Sequence, residues 1–127
     1  MLKCKRVTNM LDIEIEPFRG ILFIRLSGIL NRSNINKLNS EVNNLIREIE
    51  AKNIVFNIND LKSIDIYGQN AIINSLRICR HNHGRSLICI GNNRKIIPLI
   101  EKLMTKTRIV KDELTALNFI KEEVIWI

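Results

Sequence analysis

The chain has 127 residues, 46% of them apolar and 26% charged, and a net charge of +7. That length and balance describe one ordinary globular domain with one core. No apolar run approaches the roughly 20 residues that span a bilayer, and residues 1–10 are basic without an apolar h-region. Neither membrane insertion nor secretion is therefore expected, and the cytoplasm is the expected compartment.

Residues 11–16 alternate strictly between apolar and acidic, the pattern of a half-buried edge strand. A turn is expected over 17–20. A second, antiparallel strand follows over 21–28, with Leu22, Ile24 and Leu26 on one face and Ile21, Phe23, Arg25 and Ser27 on the other. The polar run 31–34 caps a helix over about 34–51. Its apolar residues Ile35, Leu38, Val42, Leu45, Ile46 and Ile49 step by three and four, and the many asparagines read as its solvated side.

Residues 53–59 alternate again, with Ile54, Phe56 and Ile58 on one side, and give a strand. Residues 60–65 read as a connector. Asp65 is placed to cap the next helix, whose apolar face carries Ala71, Ile72, Ser75, Leu76 and Cys79 and which stops at Gly84. The apolar run 86–90 is a further strand. A helix over 94–104 carries Ile96, Ile97, Ile100, Leu103 and Met104, with Pro98 early in it, where a missing amide costs little. Residues 108–111 form a short strand. Asp112 caps a last helix through about 123, with Leu114, Leu117 and Ile120 inward, before the apolar tail 124–127.

The order β-β-α-β-α-β-α-(β)-α predicts an α/β fold with a largely parallel, mixed sheet of four or five strands. Helices are expected mainly on one face, because Glu14, Arg25, Asn53, Asn57 and Asn59 leave the other partly polar. One domain is expected over 1–127: a core at about 11–120, a short basic lead, and a tail that docks on the less covered sheet face or on a second copy as a homodimer.

Cys4, Cys79 and Cys89 form no pair at ligand or disulfide spacing, so the latter two read as small buried hydrophobes. His81 and His83 read as helix-end residues rather than metal ligands. No glycine-rich phosphate loop, nucleophile elbow or carboxylate pair occurs, so neither an enzyme nor a metal or cofactor site is expected. Between positions 77 and 111 nine basic residues face a single acid, Glu101. That excess is either a patch for an acidic partner or a solvated helix surface. Nucleic acid is not the expected partner, because aromatics for stacking make up only 5% of the chain.

The stretch Asp60-Leu61-Lys62-Ser63-Ile64-Asp65-Ile66-Tyr67-Gly68, with the helix after it and the strand from Gly84 to Gly91, resembles the STAS domain of sulfate transporters and anti-sigma factor antagonists. The resemblance runs from about residue 11 to residue 120. It implies a STAS-like fold and a non-enzymatic regulator of transcription that binds an anti-sigma factor or related kinase-like protein. In such antagonists a Ser or Thr directly follows the Asp and is phosphorylated by the partner. Here that position is Ile66, without a hydroxyl, so no phosphorylation is expected at the usual place; Tyr67 and Ser63 are poor substitutes.

Sites in such sheets lie where strands end and helices begin. The candidate partner-binding residues are therefore Asn31, Arg32 and Ser33 in the first such loop, Asp65, Ile66, Tyr67, Gly68 and Gln69 in the second, and Asn92 and Asn93 in the third. Read without the resemblance, Asp65 only caps a helix. Two alternatives stay open. One is a scaffold or accessory STAS subunit of a stress-signalling or lipid-transport complex. The other is a small nucleotide- or anion-binding protein using the helix start after Asp65.

Overall fold

The computed structural model describes residues 10–125. Five strands form one sheet: β1 (Leu11–Phe18), β2 (Ile21–Leu30), β3 (Asn53–Ile64), β4 (Arg85–Cys89) and β5 (Arg108–Val110). They lie side by side in chain order. β1 and β2 pair antiparallel, and β2 through β5 run parallel. The β1–β2 turn is tighter than the expected 17–20. Only Arg19 and Gly20 lie in it, with φ of 52° and 79°, the left-handed pair that a two-residue hairpin requires. Pro17 stays inside β1, which an edge strand tolerates.

Parallel neighbours need crossovers, and crossovers are right-handed. Because the sheet grows in one direction from β2 to β5, each crossover falls on the same face. That face carries α1 (residues 35–49), α2 (Ile66–His81), a 3-10 helix (Arg94–Leu99) and the single turn α3 (Glu101–Met104). Leu22, Ile24, Leu26, Ile54, Phe56, Ile58 and Ile88 of the sheet are buried there. They pack with Leu38, Val42 and Ile46 of α1, Ile72, Leu76 and Cys79 of α2, and Ile96, Ile100 and Leu103. The helix after β5 is α4 (Glu113–Ile125). It lies on the opposite face, where Ala116 and Ile120 pack on Ile21, Phe23, Val55, Leu87 and Cys89. Helices thus lie mainly on one face, with α4 alone on the other.

The polar residues of that second face leave it partly polar, as expected, and two of them also hold α4. Arg25 and Asn57 both donate to the Glu113 carboxylate at the start of α4, and Arg25 also reaches Glu14 and Glu16 of β1. They fasten a helix to the sheet.

Six other expectations are corrected. The stretch 60–64 is not a connector but the end of β3, which pairs with β2 as far as Ile64. α1 is not a uniform helix: a π turn, Asn39–Asn43, separates Ile35–Leu38 from Asn44–Ile49. Its asparagine side is not wholly solvated, because Asn43 is buried and accepts a hydrogen bond from the Ser75 hydroxyl of α2. The helix expected over 94–104 divides at Ile100. Pro98 offers no amide and disfavours α geometry at Ile97 before it, so the 3-10 form results. Ile49, Ile97, Met104 and Leu114, expected inward, are exposed. α4 runs to Ile125, past the expected end at 123. The basic lead 1–9, the side chains of the tail 124–127, and hence the docking of that tail lie outside the described residues.

Candidate functional site

β2 and β3 end side by side, with Leu30 opposite Ile64. Their two βα turns are therefore neighbours at the carboxyl edge of the sheet. Asp65 ties them together. Its backbone is extended, and its amide donates to the Leu30 carbonyl (3.2 Å). One carboxylate oxygen accepts from the Gly68 amide (2.8 Å), capping α2. The other accepts from the Arg32 amide (3.0 Å) in the first loop. A single side chain thus satisfies an orphan amide of the helix start and fixes the neighbouring loop. An anion approaching this helix start would meet the charge of Asp65 already seated there.

The first loop is also knitted from within. Asn31 Oδ1 accepts from the amide and hydroxyl of Ser33 (2.9 and 2.6 Å). Asn34 Oδ1 accepts from the Asn31 amide (2.9 Å), while its amide nitrogen donates to the Ile29 carbonyl (2.7 Å). Asn34 makes no cap bond into α1; it serves the loop instead. Arg32 and Ser33 stay exposed.

Beyond Asp65, Ile66 and Tyr67 occupy the first turn of α2 and point outward, 48% and 45% exposed. The Arg32 guanidinium lies 5.3 Å from the Tyr67 ring centroid, a cation–π contact that joins the two loops at the surface. Gly68 sits beneath them. A Cβ there would come within 2.8 Å of Leu30 Cγ and of the Leu30 carbonyl oxygen, and 2.9 Å of Ile64, so glycine is what lets α2 lie this close to the strand ends. Gln69 is buried, and its side-chain oxygen has no hydrogen-bond partner among the described residues. It supports the turn from below rather than presenting a surface.

The third loop plays a different part. Asn93 donates its side-chain amide to two carbonyls of β3, Ile58 (3.0 Å) and Leu61 (2.7 Å). Asn59 in turn accepts from the Asn92 amide (3.0 Å). These bonds hold the loop to the irregular middle of β3, several residues before Ile64. Asn93 is therefore committed inside the fold, and only Asn92 is exposed. The structure brings Asn31, Arg32, Ser33, Asp65, Ile66 and Tyr67 into one continuous surface over Gly68 and Gln69, with Asn92 and Asn93 tied to β3 beside it. Two organisers carry no sequence signal for this part: Asn34 stands where a helix cap is expected, and Asn59 on the polar side of the β3 alternation.

Of the described residues, Cys79 and Cys89 are buried free thiols. Burial pushes Cys79 up to about 11 and Cys89 up to about 12. Among the described residues, no helix is long and apolar enough to cross a membrane.

A STAS domain family model matches residues 12–117. An anti-sigma F factor antagonist of Paenibacillus polymyxa is 25% identical over 101 residues, which cover 80% of this chain and 82% of that protein. The structure of the anti-sigma factor antagonist SpoIIAA in its unphosphorylated form matches with a TM-score of 0.69 at 18% identity, over 87% of this chain and 98% of that one. The Bacillus cell-fate determinant SpoIIAA in its phosphorylated form gives a TM-score of 0.65 at 19% identity, over 86% of this chain and 99% of that one. At such identities the likeness of structure is a likeness of fold.

Proposed function

This chain belongs to the STAS domain family and is anti-sigma factor antagonist-like; from that premise we propose that it is a non-enzymatic, cytoplasmic regulator of transcription that binds a kinase-like anti-sigma factor. The docking surface is the loop 31–33 together with the first turn of α2. Binding proceeds without phospho-control at position 66. One observation carries this reading: a half-exposed Ile66–Tyr67 pair stands on a turn whose every support is internal. An exposed aromatic on a rigid base is the kind of side chain that anchors an interface. Ile66 offers an apolar contact where a Ser or Thr would offer a phosphoacceptor, and a phosphate there would add about −1.5 to −2 charges to the surface.

The test begins with capture of partners from the source cell on the full chain. A kinase-like ATPase that also holds a sigma factor is the expected partner. With that partner and ATP, the intact mass should stay unchanged, and Tyr67→Ala should bind markedly more weakly than wild type. A stoichiometric phosphate on Tyr67 or Ser63 would overturn the unswitched reading. Capture of a large multi-subunit assembly without a kinase-like protein would favour a scaffold role instead.

A further inference from the structure

A groove of about 830 Å³ runs between the outer sides of α1 and α2, away from the surface around Tyr67. Its ionisable lining residues are Arg47, Arg77 and His81, all basic, with no carboxylate among them. The π turn Asn39–Asn43 contributes to the α1 side. Such turns widen a helix locally and are frequent where helices bear a function.

The hydrogen-bonding capacity of the groove is mixed, because Asn36, Ser40, Asn44 and Asn82 also line it with side-chain oxygens able to accept, but it leans toward donors around Arg77. Asn39 Oδ1 already accepts from Asn43 (2.9 Å), Asn43 Oδ1 accepts from the Ser75 hydroxyl, and Asn74 Oδ1 accepts from Arg77 (3.1 Å). The acceptors of these three amides are engaged inside the protein. Donors remain: the amide nitrogens of Asn39 and Asn74 and the rest of the Arg77 guanidinium. The side chains of Arg47 and His81 make no hydrogen bond or ion pair among the described residues, and both residues are exposed.

A cationic, carboxylate-free groove lined by side-chain amides and a hydroxyl complements an anion that also carries hydroxyl groups. Its volume lies in the range of sites for small organic molecules and far exceeds a bare phosphate ion. No Phe, Tyr or Trp lines it, and its one ring is the exposed imidazole of His81, so it lacks the broad aromatic platform that favours a nucleobase. We infer that the groove between α1 and α2 binds an organic phosphate of the sugar-phosphate class, its phosphate held by Arg47 and Arg77 and its oxygens by the asparagine amides. This site is independent of the partner surface proposed above.

The test is a titration of the full chain, followed by NMR of backbone and side-chain amides, with glucose 6-phosphate, ribose 5-phosphate, inorganic phosphate and ATP. At least one sugar phosphate should shift the Asn39 and Asn74 side-chain amides saturably and bind more tightly than inorganic phosphate or ATP. Arg47→Ala and Arg77→Ala should each weaken that binding about tenfold, the scale of one lost charged hydrogen bond. Tyr67→Ala should leave it unchanged. The proposal is overturned if neither sugar phosphate gives a saturable shift, if inorganic phosphate or ATP binds as tightly, or if the arginine variants bind like wild type.

Discussion

Arg25 and Glu113 lie 88 positions apart, and their side chains meet in a fork of two bonds, Nε to Oε2 and Nη2 to Oε1, each 2.8 Å. This pair, with Asn57 as a second donor to Glu113, fixes where α4 begins on the sheet. The hydrogen bond from Arg25, and then that from Asn57, hold the Glu113 carboxyl below the usual carboxylate range against the opposing effect of partial burial. A carboxylate depressed in the folded state contributes in full above its unfolded value, about 4.3. It loses that contribution as pH falls through its lower folded value. Glu113→Gln should therefore cost about 1–2 kcal/mol at neutral pH, near the lower figure because both side chains are partly solvated. The cost should shrink toward zero as pH drops below about 4. Urea unfolding of both proteins from pH 3 to 7 measures it, and a difference that does not change with pH would rule the linkage out.

Asp65 and Tyr67 should separate by readout. Asp65→Ala removes a helix cap and releases the Arg32 loop, so it should lower stability by about 1–2 kcal/mol and also weaken partner binding. Tyr67→Ala removes an exposed ring, so stability should change by under about 0.5 kcal/mol while partner affinity falls about tenfold or more. Chemical denaturation beside a binding titration distinguishes the two. Equal stability losses would place Tyr67 in the fold rather than in the interface.

Gly68→Ala should destabilise. The added methyl meets a backbone carbonyl and two core side chains at under 3 Å, and overpacking of that kind costs about 1–3 kcal/mol. Because α2 would have to lift from Leu30, amide exchange of residues 66–69 should quicken more than that of the distant residues of α4. Uniform acceleration across the chain would contradict the local origin.

Asn43 and Ser75 form a buried polar pair between α1 and α2. Ser75→Ala strands the Asn43 oxygen and should cost about 1–3 kcal/mol. In Asn43→Leu/Ser75→Ala neither group is left unpaired, so the double variant should be more stable than the sum of the single losses implies. Additive losses would show that the two side chains do not depend on each other.

Cys79 and Cys89 should resist alkylation at pH 8 in the folded Cys4→Ser variant and react only on unfolding. Burial raises both thiols well above that pH and shields them. Mass spectrometry after timed exposure to iodoacetamide reports it, and modification at the rate of a free thiol would refute it.

Most strands and the central helix were legible because their apolar spacing is regular. β3 was legible only in part, and its own irregularity explains why. Arg25 pairs with Asn57 but Ser27 with Asp60, and Gly28 pairs with Leu61 but Ile29 with Ser63. Each shift inserts one extra residue into β3. Its positions buried under the crossover helices therefore run 54, 56, 58, then 61 and 64, and the period of two vanishes just where the strand continues. The bulged carbonyls of Ile58 and Leu61 are what Asn93 satisfies, a use invisible without the strand. The core residues of the 94–104 stretch, Ile96, Ile100 and Leu103, fit either one helix or two, so only Pro98 hinted at the break. The surface formed by residues 31–33 and 65–67 could be placed from the order of the elements. The reach of Asp65 across to Arg32 could not, because it depends on Leu30 and Ile64 ending level.

The spatial order of the strands equals their order in the chain, and this bears on how the protein is made. As a growing chain leaves the ribosome, each strand can add to the edge left by the one before it. None has to wedge between two strands already paired, so the long-range rearrangements that slow many sheets and expose them to aggregation are avoided. The exception is the face under α4. Phe23, Val55 and Leu87 are in place before α4 is made, yet α4 is their cover. During that interval a nascent chain presents an apolar patch, and Arg25 waits without its Glu113. Chaperone contact with unfinished chains should concentrate there.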